Sequence, residues 1–211
     1  MMKRLLAEFV GTFALVFIGA GAAAGGFAAL EGVALAHGLT LMAMVFAFGG
    51  LSGAHVNPAV TFGVLLSGEI SIGDAIQYMV AQLLGGIVAG FALLLALGGT
   101  ANQLGATTLA AGVSPWQGLW IEGILAFFLV IVVLRAAVRG HAGKAAGVAI
   151  GLTLAADILF GGPYTGASVN PARTLGPAVA AGVYSDIWVY FIGTAAGAAV
   201  AAGVDWFLER S

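Results

Sequence analysis

The sequence contains no cysteine, which excludes disulfides, thiol nucleophiles and thiolate-bound metals. Charge is nearly as scarce. Asp, Glu, Lys and Arg make up 8% of the 211 residues, against about 25% in an ordinary soluble domain. Seven Lys and Arg against nine Asp and Glu leave a formal charge of −2, too small and of the wrong sign for a nucleic-acid partner. Proline occurs five times, and the 34 glycines follow no G-X-Y period, so neither a proline-rich linker nor collagen fits.

What is present is apolar: 61% of residues are hydrophobic and the mean hydropathy is +1.09. A bilayer core of about 30 Å is crossed by roughly 20 apolar residues in a helix. Six runs of that scale occur, at about 5–29, 32–51, 76–98, 116–138, 145–162 and 186–208. Two shorter apolar stretches, 58–66 and 171–183, cannot cross, and each opens with proline after asparagine. They read as half-helices. The opening Met1-Met2-Lys3-Arg4 also suits a cleaved signal peptide with its site among Ala20 to Gly26, but the length of the run and Glu8 within it favour an uncleaved first span.

Short cytoplasmic loops gather Lys and Arg. With the N-terminus inside and six crossings, Lys3, Arg4, Arg135, Arg139, Lys144 and Arg210 all fall on the cytoplasmic side, and so do both termini. Arg173 is the exception, placed in the second half-helix, where a cation at membrane depth marks a functional position rather than a snorkelling one.

Shifting the chain by 113 positions lays Gly38-Leu39-Thr40 on Gly151-Leu152-Thr153, Gly53-Ala54 on Gly166-Ala167, and Val56-Asn57-Pro58-Ala59 on Val169-Asn170-Pro171-Ala172. Glu8 lands one residue from Glu122. Each half, about 1–105 and 114–211 of one channel domain, then holds three spans and a half-helix. An odd number of spans per half gives the halves opposite topology. The expected fold class is therefore an all-α membrane protein of six transmembrane helices plus two re-entrant half-helices in an inverted repeat, with the two Asn-Pro corners meeting near mid-membrane.

Asparagine is a favoured N-cap and proline suits the first helical position, so Asn57 and Asn170 are expected to cap the half-helices. Each N-terminus carries roughly half a positive charge, and two facing one point bar cations. Water accepting from both carboxamides would be oriented so that the donor chain carrying protons is broken. Non-helical backbone inside a bilayer must be satisfied by protein. Glu8 and Glu122 suit that scaffold role, the alternative being a proton relay.

At Ala7-Glu8-Phe9-Val10-Gly11-Thr12, Ser52-Gly53-Ala54-His55-Val56-Asn57-Pro58-Ala59-Val60 and Gly166-Ala167-Ser168-Val169-Asn170-Pro171-Ala172-Arg173, the chain resembles the major intrinsic proteins, or aquaporins. The likeness covers essentially its whole length. It implies a homotetramer with one pore per subunit, water and small neutral solutes as cargo, a lipid bilayer as surroundings, and no cofactor or metal. It also maps a filter onto His37, Ile158, Ala167 and Arg173, a set similar to that of plant tonoplast intrinsic proteins, whose members also admit ammonia, urea or hydrogen peroxide. Thr174 stands where glycerol facilitators carry aspartate. Ala178 and Tyr190 suit water channels, while Phe191 replaces a common tryptophan and Ala126 lacks the threonine that Thr12 supplies after Glu8.

The expected function is a passive water channel excluding protons and ions, with ammonia, urea, hydrogen peroxide and glycerol as further candidate cargo. The alternatives are a glycerol or small-solute facilitator and a proton-coupled transporter using Glu8, Glu122 and Asp157. An intramembrane hydrolase on Ser52 and His55 lacks an orienting acid or oxyanion motif, so His55 is read as loop scaffold and the chain as no enzyme. His37 is read as lining the pore, with packing against neighbouring backbone and gating by pH as the other readings. Asp157, deep in the fifth span, is either protonated or bonded to nearby backbone. Gly85, Gly86, Gly90 and Gly197 are read as close helix crossings. Short loops and termini suggest a bacterial or archaeal inner membrane.

Overall fold

A computed structural model describes residues 1–26 and 28–210. Among them are six long apolar helices: α1 (Met2–Ala24), α2 (Leu30–Ser52), α4 (Ile72–Leu97), α5 (Pro115–Val132, continued by a π-helical segment Val133–Val138), α6 (Ala146–Thr165) and α8 (Ile187–Arg210). At about 1.5 Å per residue the spans are long enough to cross a bilayer. The half-helices α3 (Pro58–Leu66) and α7 (Pro171–Ala181) complete the bundle.

The helix ends follow local chemistry. Ser71 caps α4 through Asp74 N at 3.1 Å, which starts that helix four residues before the apolar run suggests. Ser114 and Gln117 form a capping box at the start of α5. The first helix stops at Ala24 rather than 29, beside Gly25 and a left-handed Gly26. The second half-helix stops at Ala181 because Gly182 is left-handed, with φ 72°. α6 runs to Thr165, three residues past the apolar run, and Pro163 is tolerated in its last turn.

α1 packs on α4, α5 on α8, and α2 on α6. The last pair crosses at Gly38 and Gly151, 113 positions apart. A Cβ on either would lie 2.5 Å from the other's carbonyl oxygen, so only glycine allows the approach. Gly85 lies against the carbonyl of Phe9, Gly86 against Ala172, Gly90 against Gly176 and Gly197 against Gly123, as expected of close crossings.

At one end of the bundle, Asp205 of α8 is buried between Arg135, at 3.2 Å, and Arg139, at 2.7 Å, while Arg139 also reaches Glu69 at 2.6 Å. The hydrogen bonds that Arg139 donates to Asp205 and Glu69 hold its guanidinium above its ordinary pKa. This cluster ties the loops after α3 and α5 to α8.

Candidate functional site

The two re-entrant loops share one backbone recipe. Gly53 and Gly166 end α2 and α6 in the left-handed region, at φ 89° and 76°. Ala54, Val56, Ala167 and Val169 follow with φ of 49°, 45°, 43° and 55°. Left-handed backbone is unfavourable for a β-branched residue. Two buried carboxylates hold it there.

Glu8 accepts from Ser52 Oγ at 2.6 Å and His55 N at 3.0 Å on one oxygen, and from Val56 N at 2.7 Å and Gln82 Nε2 at 2.7 Å on the other. Glu122 accepts from Thr165 Oγ1 at 2.7 Å, Ser168 N at 2.9 Å and Val169 N at 2.8 Å. Ser52, His55 and Val56 correspond to Thr165, Ser168 and Val169 at the 113-residue spacing. Tyr78 and Tyr190 add a second support, donating to the carbonyls of Ser52 and Thr165 at 2.9 and 2.8 Å. The halves differ at Gln82, whose amide also donates to Thr61 Oγ1 at 2.9 Å; the position 113 residues on is Ala195. Thr12 bonds the Glu8 carbonyl at 2.8 Å, whereas Ala126 has no hydroxyl to do so for Glu122.

Each half-helix begins at its asparagine. Asn57 Oδ1 accepts from Ala59 N at 2.8 Å, and Asn170 Oδ1 from Ala172 N at 3.0 Å and Arg173 N at 3.4 Å, with Pro58 and Pro171 at the first helical positions. The amide groups cross between halves. Asn57 Nδ2 donates to Val169 O at 2.9 Å and Asn170 Nδ2 to Val56 O at 3.0 Å. A carboxamide nitrogen carries two hydrogens, so each asparagine keeps one N–H beyond this crosslink.

Both asparagines line a narrow cavity of about 20 Å³, above the roughly 10–15 Å³ that one water requires. Its other walls include Leu41, Leu129, Val133, Ile150 and Leu154. Gly53, His55 and Val133 also line a cavity of about 370 Å³ that reaches Lys144, and Arg173 also lines one of about 290 Å³ together with Ile158.

At the narrow passage His37 and Arg173 touch. Arg173 Nε donates to His37 Nε2 at 3.3 Å, while His37 Nδ1 lies 2.9 Å from the carbonyl of Val33. The pair of contacts fits one form of the ring, neutral with its proton on Nδ1. Arg173 Nη1 donates to Gly105 O at 2.7 Å. Ile158 and Ala167 are buried in one apolar cluster with Leu125, and the Ala167 amide donates to Thr165 Oγ1 at 3.1 Å. Thr174 bonds Ser168 Oγ at 2.5 Å and Thr107 Oγ1 at 2.8 Å, a hydroxyl chain that pins the second loop. His55 bonds Thr61 Oγ1 at 3.2 Å and stacks edge-on to Tyr78. Asp157 is buried, and its Oδ2 meets no hydrogen-bond partner among the described residues.

Sequence reasoning does not reach Gln82, Tyr78, Thr107 or Gly105. The first three read as ordinary helix or loop polar residues, and Gly105 acts through its carbonyl, which carries no residue-specific signal.

The chain matches the family described as Major intrinsic protein over residues 1–204. Aquaporin TIP1-2 of Zea mays is 45% identical over 213 residues, covering 95% of this chain and 83% of that protein. Probable aquaporin TIP3-2 of Arabidopsis thaliana is 46% identical over 219 residues, covering 95% and 81%. The X-ray structure of the aquaglyceroporin from Plasmodium falciparum superposes with a TM-score of 0.89 at 24% identity, covering 100% of this chain and 99% of that one.

Proposed function

This chain belongs to the major intrinsic protein family, and from that premise we propose how its residues conduct. It is a multi-pass membrane protein and a channel for water and small solutes. In our reading, water moves in single file past His37 and Arg173, meets the free N–H groups of Asn57 and Asn170, and leaves past His55. The single observation that carries this is the meeting of two capped half-helix N-termini on one water-sized cavity.

The half-helix ends and the Arg173 guanidinium repel cations. The carboxamides present donors only, so a water oxygen turns toward them and cannot pass a proton on. Arg173 and His37, with Ile158 and Ala167 beside them, form the size filter, and Asn57-Pro58-Ala59 with Asn170-Pro171-Ala172 form the central constriction. Relatives named as aquaporins support water as cargo, and the likeness of the filter set to that of tonoplast intrinsic proteins makes urea and ammonia the solutes to test beside it. Glu8 and Glu122 are scaffold residues. Glu8 accepts from four donors and Glu122 from three, all of them groups that hold the loops, which supports a structural role over a proton relay. Ser52 donates to Glu8, which likewise supports a structural and not a nucleophilic role. A homotetramer, two inverted repeats, cytoplasmic termini and an inner-membrane location complete the proposal.

Stopped-flow light scattering on proteoliposomes tests it. Osmotic water flux is expected to be non-saturating, with low activation energy and no response to a proton gradient. Saturating flux that follows the proton gradient overturns the channel reading in favour of a transporter. On the same vesicles, Arg173→Ala is expected to raise urea permeability relative to water by about tenfold, the scale of discrimination that a close-fitting site supplies.

A further inference from the structure

Gly19 is buried in α1, and the three atoms nearest to where its Cβ would stand all belong to the His37 ring. That Cβ would lie 2.6 Å from His37 Cγ and would overlap Cδ2 and Nε2 as well. The ring therefore rests directly on helix backbone. Its polar atoms are already committed to Val33 O and to Arg173 Nε, and it also lines the narrow cavity.

The same end of α1 backs Arg173. Gly105, whose carbonyl accepts from Arg173, packs on the Ala20 backbone, where a Cβ on Gly105 would come within 3.0 Å of the Ala20 carbonyl carbon. The three nearest atoms that a Cβ added at Gly19 would meet all belong to the imidazole, and α1 blocks retreat. The ring must move away from α1, into the passage or off the guanidinium.

We propose that Gly19 is a specificity-determining position of this channel: its missing side chain lets His37 sit back against α1, and that setting fixes the width of the passage beside Arg173. The residue acts through His37 and touches no solute itself. The inference rests on the reading of His37 as a wall of the conducting path.

The test is a cycle of Gly19→Ala, His37→Ala and the double variant, each assayed in proteoliposomes for water permeability per channel and for the urea-to-water ratio. Gly19→Ala is expected to lower water permeability about tenfold, since one added carbon in a close-fitting passage acts on that scale. His37→Ala is expected to raise the urea-to-water ratio. The double variant is expected to match His37→Ala, because without the ring the added methyl has nothing to push. A loss of water flux from Gly19→Ala that persists undiminished in the double variant overturns the inference, as does unchanged flux in Gly19→Ala when His37→Ala alters the ratio. An unaltered ratio in His37→Ala overturns the filter reading itself. Should Gly19→Ala fail to assemble, its rescue by His37→Ala supports the contact and continued failure overturns it.

Discussion

Asn57 and Asn170 each donate one amide hydrogen into the other half's loop, to Val169 O at 2.9 Å and to Val56 O at 3.0 Å. The same residues cap their own helices through Oδ1. Oxygen and nitrogen thus have separate tasks. The acceptor starts the local helix, one N–H locks the two halves together, and the remaining N–H belongs to a side chain that lines the narrow cavity.

Replacing Asn170 by Asp separates these tasks. Aspartate still caps α7, but in place of the Nδ2 donor it sets a carboxylate oxygen against the Val56 carbonyl, so the crosslink is lost and a negative charge enters the constriction. We expect Asn170→Asp to lower stability in detergent by about 1–3 kcal/mol, the cost of an unpaired buried polar group. Cation leak, measured as vesicle membrane potential, should rise. Asn170→Ala, which loses cap and crosslink together, should unfold at a lower temperature still.

Glu8 offers four acceptor contacts to four donors, and glutamine has only one acceptor oxygen. Glu8→Gln must leave either His55 N or Val56 N facing an NH₂ group. Glu122→Gln does the same to Ser168 N or Val169 N. Each variant is expected to cost about 1–3 kcal/mol. Glu8→Gln should be the more damaging, because either orientation of the amide strands two donors, Ser52 Oγ with His55 N or Val56 N with Gln82 Nε2, whereas Glu122→Gln can strand Val169 N alone. Thermal unfolding of both variants checks the order, and equal midpoints would remove Gln82 from the account.

The spans, the half-helices and their caps were legible because each has a local cause: apolar runs of bilayer length and asparagine before proline. The two glutamates were legible for a different reason, since a carboxylate inside an apolar span demands an explanation. Gln82 was not, because its value lies in reaching Glu8 and Thr61 across 74 and 21 positions of chain. Gly19 was equally silent. Nothing local distinguishes it from the other glycines of an apolar helix, and only the ring of His37 packed on it gives it meaning.

His37 accepts from Arg173 at Nε2 while Nδ1 faces the Val33 carbonyl. A proton added at Nε2 would confront a guanidinium donor, so the charged ring loses this contact and the neutral ring keeps it. Water permeability should therefore stay constant between about pH 5 and 8, where an unconstrained histidine changes charge. A step in conductance across that range that vanishes in His37→Ala would contradict the neutral assignment.

With no cysteine in the chain, mercurials have no thiol to modify. Water flux in proteoliposomes should be unchanged by mercuric chloride at concentrations that block a cysteine-containing channel. Inhibition reversed by reductant would contradict this.

The turn that serves Arg173 is itself unusual. Asn102, Gln103 and Leu104 are consecutive left-handed residues, with φ of 44°, 52° and 55°, and they deliver the Gly105 carbonyl to Arg173 Nη1. Left-handed backbone costs about 1–2 kcal/mol for an ordinary residue, and asparagine is among the few that tolerate it. Asn102 also donates to Ala24 O at 2.8 Å, tying the turn to the end of α1, while Leu104 is buried against Val16, Ala20 and Leu93. Asn102→Ala loses both the tolerance and the bond, whereas Asn102→Gly loses only the bond. If the turn positions the arginine, Asn102→Ala should raise the urea-to-water permeability ratio more than Asn102→Gly does, with limited proteolysis between α4 and α5 accelerating in the same order. Equal ratios in the two variants would assign the effect to the hydrogen bond alone, and unchanged ratios in both would mean that Arg173 is held without the turn.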